Sequence, residues 1–344
     1  MTPQPPENQD KDLPDDGPEP RAHDCPDARP EGTRRAGADA AGPGSAASGG
    51  RWSDLDRPPL NAMGLRRALV RPGGLWTSLD VVPATGSTNS DLAARAANTP
   101  EGAVLVAEEQ TAGRGRLDRR WSAPPRSGLF FSVLLKPRVP VERWGWLPLL
   151  AGVATATALS RAAGVDTALK WPNDLLVTCP AAESPADLRT VDVEAGEERK
   201  AGGILAERAA DGVVLGIGLN VSLRADELPV PGAGSLAMAG ARNLDRDPLL
   251  RAVLRSLEQW YGQWQHADGD PADSRLQETY AAGCATLGRH VRAELPGDRV
   301  LSGEAVAVDG DGRLVLATED GVQQPVSAGD IVHLRPGEGG WGRG

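Results

Sequence analysis

The stretch "EEQTAGRGRLDRRW", residues 108–121, follows an apolar run, "AVLVA", that reads as a strand. Its last nine positions hold four arginines, two glycines and a closing tryptophan. Gly113 and Gly115 let the backbone approach a ligand and permit positive φ. Arg114, Gly115 and Arg116 then set two planar guanidinium forks around that backbone, a shape suited to phosphate or carboxylate oxygens. The plainer reading is a solvated Gly-Arg loop. It is not a dinucleotide fingerprint, because the third glycine is absent and no helix clearly opens after it. It is not a P-loop either, since no Gly-Lys-Ser/Thr follows.

Further along lies "LKWPNDLLV", residues 169–177, where Pro172 marks a strand break and Asn173 and Asp174 fall at a turn. Local Asx hydrogen bonding is the bland account. The functional one has Lys170 offering charge while Asn173 and Asp174 face a polar ligand or a magnesium ion. "RKAGGILAE", residues 199–207, carries Lys200 into a Gly-Gly strand. Lysine is scarce: of 37 basic residues only four (11, 136, 170 and 200) are lysine, so one kept inside the folded body is a choice of a compact point charge over a fork. "GSTN", residues 86–89, predicts a helix start, with Thr88 and Asp91 spaced as a capping box and free N–H groups able to meet a polar ligand. "GIGLN", residues 216–220, is a glycine-bearing strand ending in Asn220.

Around these motifs the pattern predicts one mixed α+β domain, with helices packed on a largely antiparallel sheet. Strands are expected at residues 78–85, 104–107, 129–135, 168–170, 175–177, 203–206 and 213–220. A helix is expected through Trp146, Leu149, Leu150, Val153 and Thr157 to a stop at Gly164, and another after an Asp247 N-cap and Pro248. From Gly288 to Pro336 short strands and turn signals predict a barrel of about five strands. The boundaries that follow are a polar tail over 1–57, a catalytic domain over 58–285 with an acidic loop insertion at 178–199, the barrel over 286–337, and a short tail over 338–344.

The net charge is −10, and it is uneven. Residues 1–57 hold 12 acidic and 7 basic side chains, and 179–199 hold 6 and 2, so two expected loops carry nine of the ten charges. The remainder is near neutral and has no basic stripe, which argues against nucleic acid as a partner. Few large apolar residues occur before residue 58, so that stretch reads as disordered and not as a signal peptide. No apolar run is long enough for a membrane span. Three scattered cysteines without a CxxC pair argue for a reducing, cytoplasmic setting and against a zinc site.

In this order the motifs resemble the biotin protein ligase family, over about residues 80–336. The resemblance implies a class II synthetase-like catalytic domain followed by a small SH3-like barrel. It implies formation of biotinyl-5′-AMP from biotin and ATP with Mg2+, then transfer of biotin to a lysine of a biotin carboxyl carrier domain of an acyl-CoA carboxylase. On this chain it assigns Ser87, Thr88, Asn89 and Gln110 to biotin's ureido ring and valeryl chain. It assigns Arg114, Gly115, Arg116 and Lys200 to the biotin carboxylate and the α-phosphate, with Arg114, Arg116 and Lys200 catalytic. Trp121, Lys170, Asn173, Asp174 and Asn220 fall on the nucleotide side together with Arg116, with Asp174 as the metal ligand. Two features depart from the family pattern. "LDRRW" stands where many relatives carry another glycine and basic residue, and residues 1–57 offer no winged helix for binding DNA. The expectation is therefore a monomeric or homodimeric ligase that binds neither nucleic acid nor membrane. A lipoate–protein ligase, a biotin-responsive repressor and a binding module built on the barrel are the alternatives, disfavoured by the arginine clamp, the missing basic helix-turn-helix and the polar motifs upstream of the barrel.

Overall fold

A computed structural model describes residues 57–117, 119–180, 196–295, 299–327 and 329–334. The expected C-terminal tail, 338–344, and nearly all of the N-terminal one lie outside them. The larger sheet has seven strands in the order β1-β2-β5-β9-β8-β7-β6. These are β1 (Ser78–Val82), β2 (Ala103–Ala107), β5 (Gly128–Leu135), β6 (Thr167–Lys170), β7 (Asp174–Cys179), β8 (Glu197–Ala209) and β9 (Gly212–Asn220). Only β1 and β2 run parallel, so the sheet is largely antiparallel as expected. Between β2 and β5 the arginine stretch forms its own two-stranded hairpin, β3 (Gly113–Arg114) with β4 (Arg120–Trp121).

Strand β5, "GLFFSVLL", is buried at every position because both faces of the sheet are covered. Leu129, Phe131, Val133 and Leu135 join the main core, with helices α1 (Ala62–Leu69), α3 (Leu147–Ala163), α4 (Arg246–His266) and α5 (Leu276–Gly283) on that side. Leu134 and Val214 point the other way, into a small cluster with Leu92 of α2 (Thr88–Arg95). Helix α2 is thus the element that closes the second face, and it carries the polar start of "GSTN" to the strand ends.

Five further strands, β10 (His290–Leu295), β11 (Arg299–Val308), β12 (Leu314–Ala317), β13 (Gln323–Val326) and β14 (Asp330–His333), make an all-antiparallel sheet in the order β13-β12-β11-β10-β14. Indole N–H groups at the start of α3 and just after β6 hold it: Trp146 donates to the Gly310 carbonyl (2.9 Å) and Trp171 to that of Gly312 (3.0 Å).

Several boundaries differ from the sequence reading. Arg57, assigned to the polar tail, is buried and pairs with Glu227 at 2.6 Å while donating to the Ser222 carbonyl. Strands β7 and β8 run into the expected 178–199 loop, as far as Cys179 and back from Glu197. Both helix caps lie upstream of where they were expected. Ser87, not Thr88, caps α2, because Thr88 is already helical and its hydroxyl and N–H turn to Gln110. Asp245 caps α4, accepting from Asp247 N (3.0 Å), while the Asp247 carboxylate receives the Asn61 N–H. Among the described residues no helix is long and apolar enough to cross a membrane.

Candidate active site

A cavity of about 620 Å³ opens where the start of α2, the arginine hairpin, the turn after β6, and strands β8 and β9 converge. Of the expected site residues, Ser87, Thr88, Asn89, Gln110, Arg114, Gly115, Arg116, Trp121, Asn173, Asp174, Lys200 and Asn220 all line it.

Glycines make the room. Gly203 on β8 and Gly218 on β9 face each other across the strands, and the Trp121 ring lies against both. A Cβ on Gly218 would stand 2.9 Å from Trp121 Cε2, and one on Gly203 3.2 Å from Cζ3. Gly216 serves Asn89 instead, since a Cβ there would come within 2.0 Å of its Oδ1. Gly203, Gly216 and Gly218 are thereby explained as surfaces for two side chains, while Gly202 gives room to Leu175.

At one end, hydrogen bonds fix each amide's orientation. Gln110 Oε1 accepts from Thr88 N (2.9 Å) and Thr88 Oγ1 (3.1 Å), so its NH2 is left as a donor on the cavity side. Asn89 is 4% exposed and bonded within the protein. Its Nδ2 donates to the Leu205 carbonyl (3.2 Å) and Glu207 (3.0 Å), and its Oδ1 receives the Ser132 hydroxyl (2.6 Å). Asn89 therefore braces the wall between α2, β5 and β8.

The other end is cationic. Arg116 and Lys200 define it, whereas Arg114 lies towards the amides: it pairs with Glu207 (2.9 Å), the last residue of "RKAGGILAE", whose Oε2 also takes the Asn89 Nδ2. Arg116 donates to Asn173 Oδ1 (3.2 Å) and the Gly329 carbonyl (3.4 Å), and burial lowers its pKa from the usual arginine value against the opposing pull of Asp174. Asn173 is itself held through its Nδ2 to the Ile204 carbonyl (2.9 Å). The Lys200 ammonium lies 2.5 Å from Asp174 and 5.9 Å from the Trp121 ring centroid.

Asn220, 3% exposed, donates through Nδ2 to the Gly234 carbonyl (2.9 Å), which leaves its buried Oδ1 as an acceptor without a partner. The buried indole N–H of Trp121 is likewise unpaired. These are two oriented, unsatisfied polar atoms on residues lining one cavity, the arrangement a polar ligand would complete.

One expected residue is elsewhere. Lys170 stands across the β6–β7 hairpin from Asp174, one strand further out, and does not reach the cavity. It lies at the junction with the barrel, where burial lowers its ammonium pKa and Asp174, Lys200, Arg119 and Glu198 are its charged neighbours. Conversely, Arg119, Arg120, Gly216, Gly218, Pro229, Val230, Gly232, Ala233 and Asp330 line the cavity without having been singled out. The first four sat inside motifs already quoted, but nothing near Asp330 marks it.

Among the described residues no three His, Cys, Asp or Glu side chains gather as a metal site. The cavity's carboxylates are Asp174, paired with Lys200, and Asp330, paired with Arg119.

A mixed sheet with a small C-terminal antiparallel β domain, and a cavity lined by oriented amides and three cationic side chains, suits a ligase of the kind that activates a carboxylate. Comparison with known proteins specifies which kind. Residues 81–223 match the Biotin/lipoate A/B protein ligase family, and 286–334 the Biotin protein ligase C terminal domain. The biotin–[acetyl-CoA-carboxylase] ligase of Mycobacterium tuberculosis is 42% identical over 288 residues, covering 82% of this chain and 98% of that protein. A bifunctional ligase/repressor of Bacillus spizizenii is 33% identical over 72% of this chain and 71% of its own length. The Aquifex aeolicus biotin protein ligase, solved in complex with biotin and ATP, superposes with a TM-score of 0.58 at 26% identity, over 76% of this chain and all of that one. The chain belongs to the biotin protein ligase family.

Proposed function

We propose that this cavity carries out both steps of protein biotinylation. The chain is an ATP-dependent ligase that makes biotinyl-5′-AMP from biotin and ATP, then transfers biotin to a lysine of a biotin carboxyl carrier domain of an acyl-CoA carboxylase. The observation that supports the reading best is that Gln110, Arg114, Arg116, Lys200 and Asn220 all face one cavity, each held by a named partner.

Biotin's ureido ring would sit at the amide end, its carbonyl oxygen taking the Gln110 NH2 while the Ser87 and Thr88 hydroxyls meet the ring N–H groups. Its carboxylate would extend to Arg114, Arg116 and Lys200. The base of ATP would stack on Trp121 and give its exocyclic amine to Asn220 Oδ1. In the first step a biotin carboxylate oxygen bonds to the α-phosphorus and the bond to pyrophosphate breaks. Two anionic groups must meet, and Arg116 and Lys200 offset that repulsion where it peaks. Magnesium, when bound with ATP beside Asp174 and Asn173, would offset charge on the departing phosphates. In the second step the acceptor lysine's amine attacks the acyl carbon, an amide forms, AMP leaves and a proton is lost to solvent.

Incubating the protein with ATP, magnesium, biotin and a carrier domain tests this. Biotin should appear on one lysine, with one pyrophosphate released per biotin, and lipoate should not substitute. Transfer of lipoate in preference to biotin would overturn the assignment.

A further inference from the structure

Asp330 is the one residue of the barrel, among the described residues, that lines the cavity. It opens β14 and is held in register opposite Glu294 of β10, so its place is set by the barrel and not by the catalytic sheet. Its carboxylate pairs with the guanidinium of Arg119, 211 positions away in sequence. The preceding residue, Gly329, accepts from Arg116 through its carbonyl.

The two arginines are coupled within the hairpin tip. Arg119 N donates to the Arg116 carbonyl (3.1 Å), and Gly115 N donates to that of Arg119 (2.7 Å). Wherever Arg119 is held, the backbone of Arg116 follows. The Asp330 side chain is 19% exposed and that of Arg119 65%, so the anion is the fixed partner and the arginine comes to it. This also gives a use to Arg119 in "LDRRW", the part of the loop that departs from the family pattern.

We propose that Asp330 is a positioning residue. By holding Arg119 it sets Arg116 at the reacting phosphate and keeps biotinyl-AMP in place between the two steps. The inference rests on the biotin-ligase reading and adds to it a contribution from the barrel. It has a chemical consequence. Released biotinyl-AMP is a mixed anhydride that any exposed amine can attack, forming an amide and expelling AMP, so a loosened hairpin should label proteins that are not acceptors.

The variants are Asp330→Asn, Arg119→Gln, their double, and the exchanged pair Arg119→Asp with Asp330→Arg. Biotinyl-AMP is preformed on each, and its rate of loss and the acceptor-free labelling of serum albumin are measured. A partly exposed ion pair of this kind should change the loss rate by about two- to fivefold. Each single variant should speed loss and raise labelling by that factor at unchanged melting temperature, the double should do no more than either single, and the exchanged pair should recover part of it. Wild-type rates in both single variants, or independent effects that multiply in the double, would overturn the role of Asp330 while leaving the ligase reading intact. A wild-type protein that forms no biotinyl-AMP would overturn both.

Discussion

Arg116 is half-buried, shared between Asn173 and the Gly329 carbonyl, and close to Asp174, so its guanidinium is pre-aimed before any ligand arrives. Replacing it with alanine should slow biotinyl-AMP formation about 10²–10³-fold in a folded protein, measured by single turnover. Adenylation at the wild-type rate would remove Arg116 from the chemistry. Lys200 makes a sharper case, because its ammonium is held between Asp174 and the Trp121 ring, 5.9 Å from the ring centroid. Arginine there would have to fit a planar fork into the space of a point charge already 2.5 Å from Asp174. Lys200→Arg should therefore slow the chemical step despite keeping the charge, and matching single-turnover rates would assign Lys200 to the surface. Gly218→Ala tests the floor of the cavity, since its new methyl would meet the Trp121 ring at 2.9 Å. The expected result is weaker binding of ATP, followed as a rise in KM for ATP.

At the level of elements, two junctions hold the site's frame together. Glu108, at the end of β2, accepts from Leu60 N (2.6 Å) and pairs with Arg246 of α4 (2.6 Å), which also reaches the Pro58 carbonyl (2.6 Å). Both side chains are under a tenth exposed, so removing one leaves the other charged and unpaired. Glu108→Ala should cost about 3–5 kcal/mol, read by denaturant titration. The second junction joins the barrel to β6 and β8. His333 Nδ1 accepts from Arg289, and its Nε2 lies 3.1 Å from Thr286 Oγ1, which receives the Trp171 N–H. Burial, with Lys170 and Arg289 nearby and Glu198 opposing, holds the imidazole pKa down to about 4, against 6.5 for an ordinary histidine. Between those values the unfolded chain binds the proton and the folded one does not, so stability falls as pH drops through that window. In His333→Gln the melting temperature should vary less from pH 6.5 to 4 than in the wild type, and equal slopes would exclude His333 as a source. These junctions bear on what the sequence could disclose. Apolar runs and glycines marked β5, β9 and the arginine loop because those signals are local, whereas the pairing of that loop into a hairpin was not foreseen. The caps moved because Ser87, Thr88, Asp245 and Asp247 are each chemically competent, and tertiary partners chose among them. Lys170 was rare and stood beside a turn, yet strand order placed it one strand too far out.

For the whole molecule, the site depends on groups far apart in sequence. The arginine hairpin, the "WPND" turn, the glycine strands and Asp330 meet only because β8 and β9 lie centrally and the barrel docks through Trp146 and Trp171. Asp330 was illegible for this reason: no local pattern announces a pairing across 211 residues. The polar composition of residues 1–56 predicts that deleting them, while retaining the buried Arg57, leaves melting temperature and ligation rate unchanged. A large loss of either would give the segment a role in folding or in meeting the acceptor. One cavity should activate the carboxylate of biotin with ATP before any acceptor is present. Exchange of labelled pyrophosphate into ATP, with no carrier domain in the reaction, tests it most directly. Exchange should require biotin, gain nothing from lipoate and fall with Arg116→Ala; exchange independent of biotin, or none in a protein that still ligates, would contradict activation before transfer.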